Sequence, residues 1–271
     1  MRRRVPLFNT DSERDGLRRA SRANAQLLDY LRPFVVAGTT TAEIDRLAYS
    51  YTLEHGHTPA CLGYPGEFAP YPNSICTSVN EVVCHGVPDD RPLLPGDIVN
   101  VDLTTIVDGW FGDQSEMFLI GDAADISDEA RHLVQVAFDS LYLGIRAIEP
   151  GGPVDAISRA IYDYVRGEDL DVVREYQGHG IGRQFHQEPG IAHVPSQPPN
   201  RTPIHPGTCF TIEPMINTGT WHTNRVESDG WTVRTRDGGL SAQWEHTVLM
   251  TEEGPEILTL TEDGPQEGDR I

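Results

Sequence analysis

Basic residues are scarce in this 271-residue chain: 21 Lys and Arg stand against 41 Asp and Glu, a formal net charge of −20. That balance argues against nucleic acid and anionic membrane surfaces as primary partners, and it would favour cationic ligands, with solubility as the plainer explanation. Cysteine is scarce too. The four present are unevenly spaced and form no CxxC pair, so they do not read as a disulfide framework and fit a reducing cytosol. Long apolar runs are absent, which leaves nothing to span a membrane. The basic start, MRRRVPLFNT, is followed by no apolar stretch and does not read as a signal peptide. What remains is an ordinary soluble globular composition, long enough for one large domain or two small ones.

Helical spacing of apolar residues predicts a helix over 11–32, capped by Asp11 or Ser12, with Leu17, Ala20, Leu27, Leu28 and Leu31 on one stripe and polar Asn24 interrupting it. A second helix runs from Thr41, its cap, to His55. Residues 58–74, rich in Pro, Gly and Tyr, read as an ordered loop. Ile75–Val83 reads as one strand. Ser127–Ile148, capped by Ser127, and Val154–Val165 are two more helices. After a Pro- and His-rich loop over 191–208, strands return near 209–212, 230–235 and 245–250, and the last ten residues are expected to fray. RPFVVAGTTTAEIDRL at 32–47 is echoed by AIEPGGPVDAISRAI at 147–161. Two repeated helix–helix–strand units suggest an α+β domain with pseudo-twofold symmetry, although chance likeness of helix ends would look similar.

Four clusters carry chemistry. The first is the segment 97–118, DIVNVDLTTIVDGWFGDQSEMF, which predicts a hairpin turning at Asp108-Gly109. Pairing outward from that turn sets Val107 against Trp110, Thr105 against Gly112 and Thr104 against Asp113. Side-chain alternation then puts Asp102, Thr104 and Asp113 on one face, with the two aspartates diagonal at roughly 7–8 Å between Cα atoms. Val99, Val101 and Leu103 face the core. Two carboxylates so close call for a raised pKa or a cation between them, unless the face is simply solvated. The second cluster is QGHGIGRQFH at 177–186, where glycines around His179 allow close backbone approach and His186 follows nearby. In the third, Glu213 follows an apolar strand and precedes Pro214. In the fourth, SAQWEHT at 241–247, Glu245 alternates with Trp244 and His246 and could face inward. Taken singly, each of these carboxylates reads as structural or solvated, while the glycines around His179 favour a site.

Together, and in order, these segments resemble the type I methionine aminopeptidases. CLGY at 61–64, NEVVCHG at 80–86, VNVD then GDQS, GHGIGRQFH, FTIEP and SAQWEH all look like blocks of that family, over residues from about 10 to about 260. The resemblance implies the pita-bread fold, a curved antiparallel sheet enclosing a dinuclear metal site with helices on the outer face. It implies five ligands, Asp102, Asp113, His179, Glu213 and Glu245, for two divalent ions (Co, Mn, Fe or Zn), with Asp113 and Glu245 bridging. Four carboxylates and an imidazole without a thiolate suit such ions better than a structural zinc. It further implies His85 and His186 as substrate-contacting histidines, Glu213 as proton shuttle, and Asp102 with Thr104 near the substrate amine. Cys61, Tyr64, Tyr71, Cys76, Phe185 and Trp231 would form the methionine pocket, soft sulfur against aromatic rings, with plain core packing an alternative for Cys76 and Phe185. The implied activity is removal of the initiator methionine from nascent proteins and peptides when the second residue is small and uncharged, by a cytoplasmic monomer, with ribosome association left open.

Related folds differ at identifiable places. Prolidases and aminopeptidases P carry a large domain ahead of the catalytic one, and only about 80 residues precede His85 here. Type II enzymes carry a helical insertion between the His and Glu ligands, whereas the stretch from His179 to Glu213 is short. Metal-free binding modules of this fold have lost ligands, and all five are present. The layout read is an N-terminal arm at 1–10, one catalytic domain at 11–260 and an acidic tail at 261–271. One departure from the family stands out: Glu67-Phe68-Ala69-Pro70 looks inserted between Tyr64 and Tyr71. Phe68 either folds back onto the pocket wall or lies against the substrate chain.

Overall fold

In the computed structural model, residues 5–225 and 228–271 are described, so Arg2 to Arg4 of the N-terminal arm lie outside them. Two helices lead the chain, α1 (Asp11–Leu31) and α2 (Thr41–Glu54). Both are capped one residue or more before the expected caps. Thr10 caps α1, accepting from Glu13 N–H at 3.3 Å while the Glu13 carboxylate accepts from Thr10 N–H at 3.0 Å. Thr40 caps α2, accepting from Glu43 N–H at 3.1 Å. Each Thr is followed three residues later by Glu, and at α1 the pair is reciprocal and satisfies two orphan donors at once.

Five strands follow: β1 (Thr58–Pro59), β2 (Cys76–Val79), β3 (Val82–Cys84), β4 (Ile98–Val107) and β5 (Trp110–Leu119). Then come α3 (Asp128–Arg146) and α4 (Asp155–Gly167), and β6 (Asp171–Val172), β7 (Gly178–Gly180), β8 (Gln187–Ile191), β9 (Cys209–Ile212) and β10 (Met215–Asn217). The chain closes with β11 (Thr223–Arg225), β12 (Val233–Thr235), β13 (Ser241–Gln243), β14 (Glu245–Met250) and β15 (Pro255–Ile257). The single strand expected over 75–83 is two. Asn80 adopts φ 55°, a left-handed turn that asparagine tolerates, and sends β2 and β3 into different sheets.

The hairpin forms in the register read from its turn. Asp108 and Gly109 have φ 52° and 76°, and Val107, Thr105 and Thr104 face Trp110, Gly112 and Asp113. It sits in a nine-stranded antiparallel sheet ordered β1-β4-β5-β14-β9-β7-β8, with β2 added to β4 and β15 to β14. Helices α1 and α2 cover the first half, burying Leu28, Leu31 and Ile44 against Val99, Val101 and Leu103. Helices α3 and α4 cover the second, burying Leu133, Phe138 and Ile157 against Phe210, Ile212 and Val248. The two halves repeat beyond the echo in sequence. Thr40, before α2, bridges to Pro92, and Pro153, before α4, bridges to Pro203. A Pro-Gly turn precedes both β4 and β9, with Gly96 at φ 94° and Gly207 at φ 89°.

Asn24, which broke the apolar stripe of α1, docks that helix onto the hairpin. Its Nδ2 donates to Leu103 O at 2.8 Å and its Oδ1 accepts from Thr105 Oγ1 at 2.7 Å. The last ten residues are not frayed: Glu262 N–H donates to Asp29 Oδ2 at 2.8 Å, Glu267 pairs with Arg146 at 2.7 Å, and Ile271 N–H donates to Gln135 Oε1 at 2.8 Å.

Helix α1 lies so close to β5 that a β-carbon at Gly112 would sit 2.5 Å from Ser21 N. Gly112→Ala should therefore destabilise the protein by about 1–3 kcal/mol, because helix backbone rather than a flexible side chain must give way. Urea unfolding monitored by circular dichroism checks this; an unchanged midpoint would contradict the close packing.

Candidate metal centre

Five consecutive strands of the large sheet each supply one polar group to the face turned away from the helices. Asp102 comes from β4, Asp113 from β5, Glu245 from β14, Glu213 from the residue after β9, and His179 from β7. All five line a cavity of about 340 Å³. Ligand atoms of Asp113, His179 and Glu245 lie within 4.8 Å of one another. His179 Nε2 stands 3.6 Å from Asp113 Oδ2 and 3.7 Å from Glu213 Oε1. Asp102, opposite Ser115 in the ladder, is diagonal to Asp113.

The protonation pattern follows from the partners. His179 Nδ1 lies 3.1 Å from the Gly180 carbonyl, which can only accept, so the ring proton sits on Nδ1. The Nε2 lone pair then faces carboxylate oxygens, acceptor against acceptor. Burial pushes the Asp102 carboxyl up to about 7. Burial, and then the charge of Asp102, raise Asp113 well above the usual carboxylate range. Glu213 and Glu245 are raised by burial first and by Asp113 second. Burial, with His186 nearby, lowers His179 to about 3 and holds it neutral. Buried acceptors converging without a donor between them are satisfied by a cation. Carboxylates and one imidazole, without thiolate, make this cluster fit a divalent metal site.

Threonines two residues from Asp102, Glu213 and Glu245 brace the cluster. Thr104 Oγ1 donates to Asp113 Oδ1 at 2.7 Å, and Thr211 Oγ1 donates to Glu213 Oε1 at 2.9 Å. Thr247 Oγ1 donates to the Asp113 carbonyl at 2.7 Å. Thr104, expected beside the substrate amine, is only 2% exposed and stands behind Asp113 rather than on the cavity wall. Its hydroxyl is spent on the carboxylate. Sequence reasoning missed Thr211, Thr247, and also His193, whose Nε2 accepts from Glu213 N–H at 3.2 Å. The period-2 spacing T-x-E and E-x-T was the available signal for the first two; nothing local marked His193.

His85 and His186 line the same cavity, joined by Glu175, Tyr176, Gln177 and Met215, which had been assigned no role. His186 is stacked on Phe185 at 4.3 Å between ring centroids, and its Nδ1 lies 2.8 Å from the Tyr64 hydroxyl. His85 adopts φ 55° and meets Tyr176 edge-on at 5.5 Å. Burial lowers both histidines to about 4, so both are neutral near pH 7. Cys61, Tyr71 and Cys76 are buried together, with Tyr64, Phe185 and Trp231 packed around them. The Tyr71 hydroxyl turns away to the Gly86 carbonyl at 2.9 Å, leaving the pocket side of that ring apolar.

Comparison with known proteins places these residues in context. The model of metallopeptidase family M24 matches residues 15–252. A methionine aminopeptidase of Salmonella typhimurium is 46% identical over 258 residues, covering 94% of each chain. The crystal structure of methionine aminopeptidase from Rickettsia prowazekii superposes with a TM-score of 0.88 at 42% identity, over 95% of this chain and 100% of that one. The Thermotoga maritima methionine aminopeptidase gives 0.88 at 34% identity, over 94% and 99%.

The raised carboxyl groups predict how metal-stripped protein responds to pH. An acid whose folded pKa exceeds its unfolded one keeps a proton that the unfolded chain has lost, so stability falls as pH rises. The lowered histidines act in the opposite direction, but only below their ordinary value of 6.5. Above that, only Asp102, Asp113, Glu213 and Glu245 act. The melting temperature of chelated protein should drop between about pH 6.5 and 8, and excess Mn²⁺ should abolish the drop. Differential scanning fluorimetry reads both; a flat profile without metal would contradict the buried-carboxylate arrangement.

Proposed function

This chain belongs to metallopeptidase family M24, as a type I methionine aminopeptidase, and from that premise we infer that it removes the initiator methionine from proteins and peptides whose second residue is small and uncharged. One observation carries the reading: five donors, one from each of five adjacent strands, converge beside an apolar, sulfur- and aromatic-lined pocket. Residues 11–260 act as a single catalytic domain in this reading. No helix among the described residues is long and apolar enough to cross a membrane. Four buried, unpaired cysteines support a cytoplasmic enzyme, and we take it as a monomer acting on nascent chains as well as free peptides.

Asp102, Asp113, His179, Glu213 and Glu245 would together hold the divalent ions. Bound there, Mn, Fe, Co or Zn supplies Lewis acidity toward the scissile carbonyl and an acidified water. The chain's own groups do the rest. The methionine side chain enters between Tyr71, Trp231, Phe185 and the two thiols, where polarisable sulfur meets ring edges. Asp102 orients the free α-amine, and Thr104 acts through Asp113, fixing its carboxylate. Glu213, held by Thr211, takes the proton of the attacking water and delivers it to the leaving nitrogen. In this reading the neutral His186 ring offers its Nε2 proton to the carbonyl oxygen as charge develops, with the Tyr64 hydroxyl, 2.8 Å from Nδ1, serving as donor to that nitrogen. His85 contacts the scissile amide nitrogen.

The test pairs metal analysis with hydrolysis of Met-Ala-Ser. Loaded protein should bind two ions per chain and release methionine; absence of release would overturn the function. Asp113→Ala and Glu245→Ala should each leave at most one ion by plasma mass spectrometry and lose activity by orders of magnitude. Two ions bound at full affinity in either variant would refute the bridging roles. Glu213→Gln should keep its circular dichroism spectrum while turnover collapses, and normal turnover would place the base elsewhere.

A further inference from the structure

The loop from Tyr64 to Tyr71 is fastened at both ends. At its neck, Tyr71 N–H donates to Tyr64 O at 2.9 Å and Gly63 N–H donates to Tyr71 O at 2.9 Å. At its tip, Trp231 Nε1 donates to Ala69 O at 3.0 Å, and Glu67 pairs with Arg225 at 3.1 Å. Gly66 lies flat on the indole: a β-carbon there would be 2.3 Å from Trp231 Cζ2. Tyr64, Tyr71 and Trp231 all line the catalytic cavity, so the loop is a fixed lip at its mouth.

Phe68 is the exception within this lip. It is 72% exposed, the most exposed large hydrophobic side chain among the described residues, and one edge of its ring rests near Gly230. A ring packed on the pocket wall would be mostly covered, so of the two placements that the sequence allowed, folding back is excluded. The adjacent Glu67–Arg225 pair is formally neutral, which leaves the ring as the distinctive feature of this edge. Phe68 lies four positions along the chain from Tyr64, whose hydroxyl touches His186. That stretch reaches at most roughly 13 Å. An extended peptide covers the same distance within about four residues beyond the scissile bond.

We propose that Phe68 forms an apolar subsite for the third and fourth residues of the substrate, selecting peptides with apolar side chains there. The proposal rests on the aminopeptidase reading. Contact made equally in ground and transition states appears in KM rather than kcat. The experiment compares wild type, Phe68→Ala and Phe68→Leu, equally loaded with Mn²⁺, on Met-Ala and on Met-Ala-Leu-Phe. Phe68→Ala should raise KM about fivefold for the tetrapeptide relative to the dipeptide with kcat nearly constant, and Phe68→Leu should recover most of that loss. The melting temperature of Phe68→Ala should stay within about 1 °C, since an exposed ring contributes little packing. Equal KM changes on both peptides, no change on the tetrapeptide, or a melting temperature lowered by several degrees would each overturn the subsite. Failure of loaded wild type to cleave either peptide would instead overturn the function on which it rests.

Discussion

Repulsion among buried carboxylates is the constraint on which the rest of this structure depends. Ligand atoms of Asp113 and Glu245 lie within 4.8 Å of each other, and two unit charges that close repel by at least about 3.5 kcal/mol at an effective dielectric constant near 20. A domain is stable by only about 5–15 kcal/mol in total. Four such groups on one cavity wall are tolerable only when protonated or when cations lie among them. The fold holds them there regardless, because each comes from a different strand and the strands are locked by ladders on both sides. Hydroxyls of Thr104 and Thr211 fill part of the remaining lone-pair demand.

The same burial that strains the acids tunes the imidazoles. His85, His179 and His186 are all held neutral by desolvation. A neutral ring can offer a lone pair at one nitrogen and a proton at the other, and the neighbours decide which. The Gly180 carbonyl puts the proton of His179 on Nδ1, facing away from the carboxylates. The Tyr64 hydroxyl lies 2.8 Å from His186 Nδ1, and Tyr64 belongs to the lip that clasps Trp231. The same packed aromatic side chains thus border both the carboxylate cluster and the sulfur-lined pocket.

Pseudo-symmetry explains how a chain of this length reaches such convergence. Each half contributes a helix pair and a Pro-Gly turn that leads into a strand of the large sheet, and the halves meet where β5 pairs with β14. The first half brings Asp102 and Asp113 on one hairpin. The second brings His179, Glu213 and Glu245 on three strands. Helices lie on one face only, so the other face remains free to enclose a substrate.

Local rules were sufficient for much of this. The Asp108-Gly109 turn and the period-2 alternation set the hairpin register, and with it the diagonal of Asp102 and Asp113. The order and wording of the motifs carried the family and, with it, the fold. Other features were beyond local reading. Asn24 looked like a flaw in an amphipathic helix until its two buried hydrogen bonds to β4 were visible. Thr104 shares a face with Asp102, yet its hydroxyl is turned to Asp113, an orientation that alternation cannot specify. The acidic tail is held by Asp29, Gln135 and Arg146, residues more than a hundred positions away. Phe68 could have lain in or out of the pocket. Periodicity and turn chemistry act between residues close in sequence, so they determine which face a side chain occupies. Which faces meet depends on pairing among β5, β14, β9 and β7, and only the folded chain decides that.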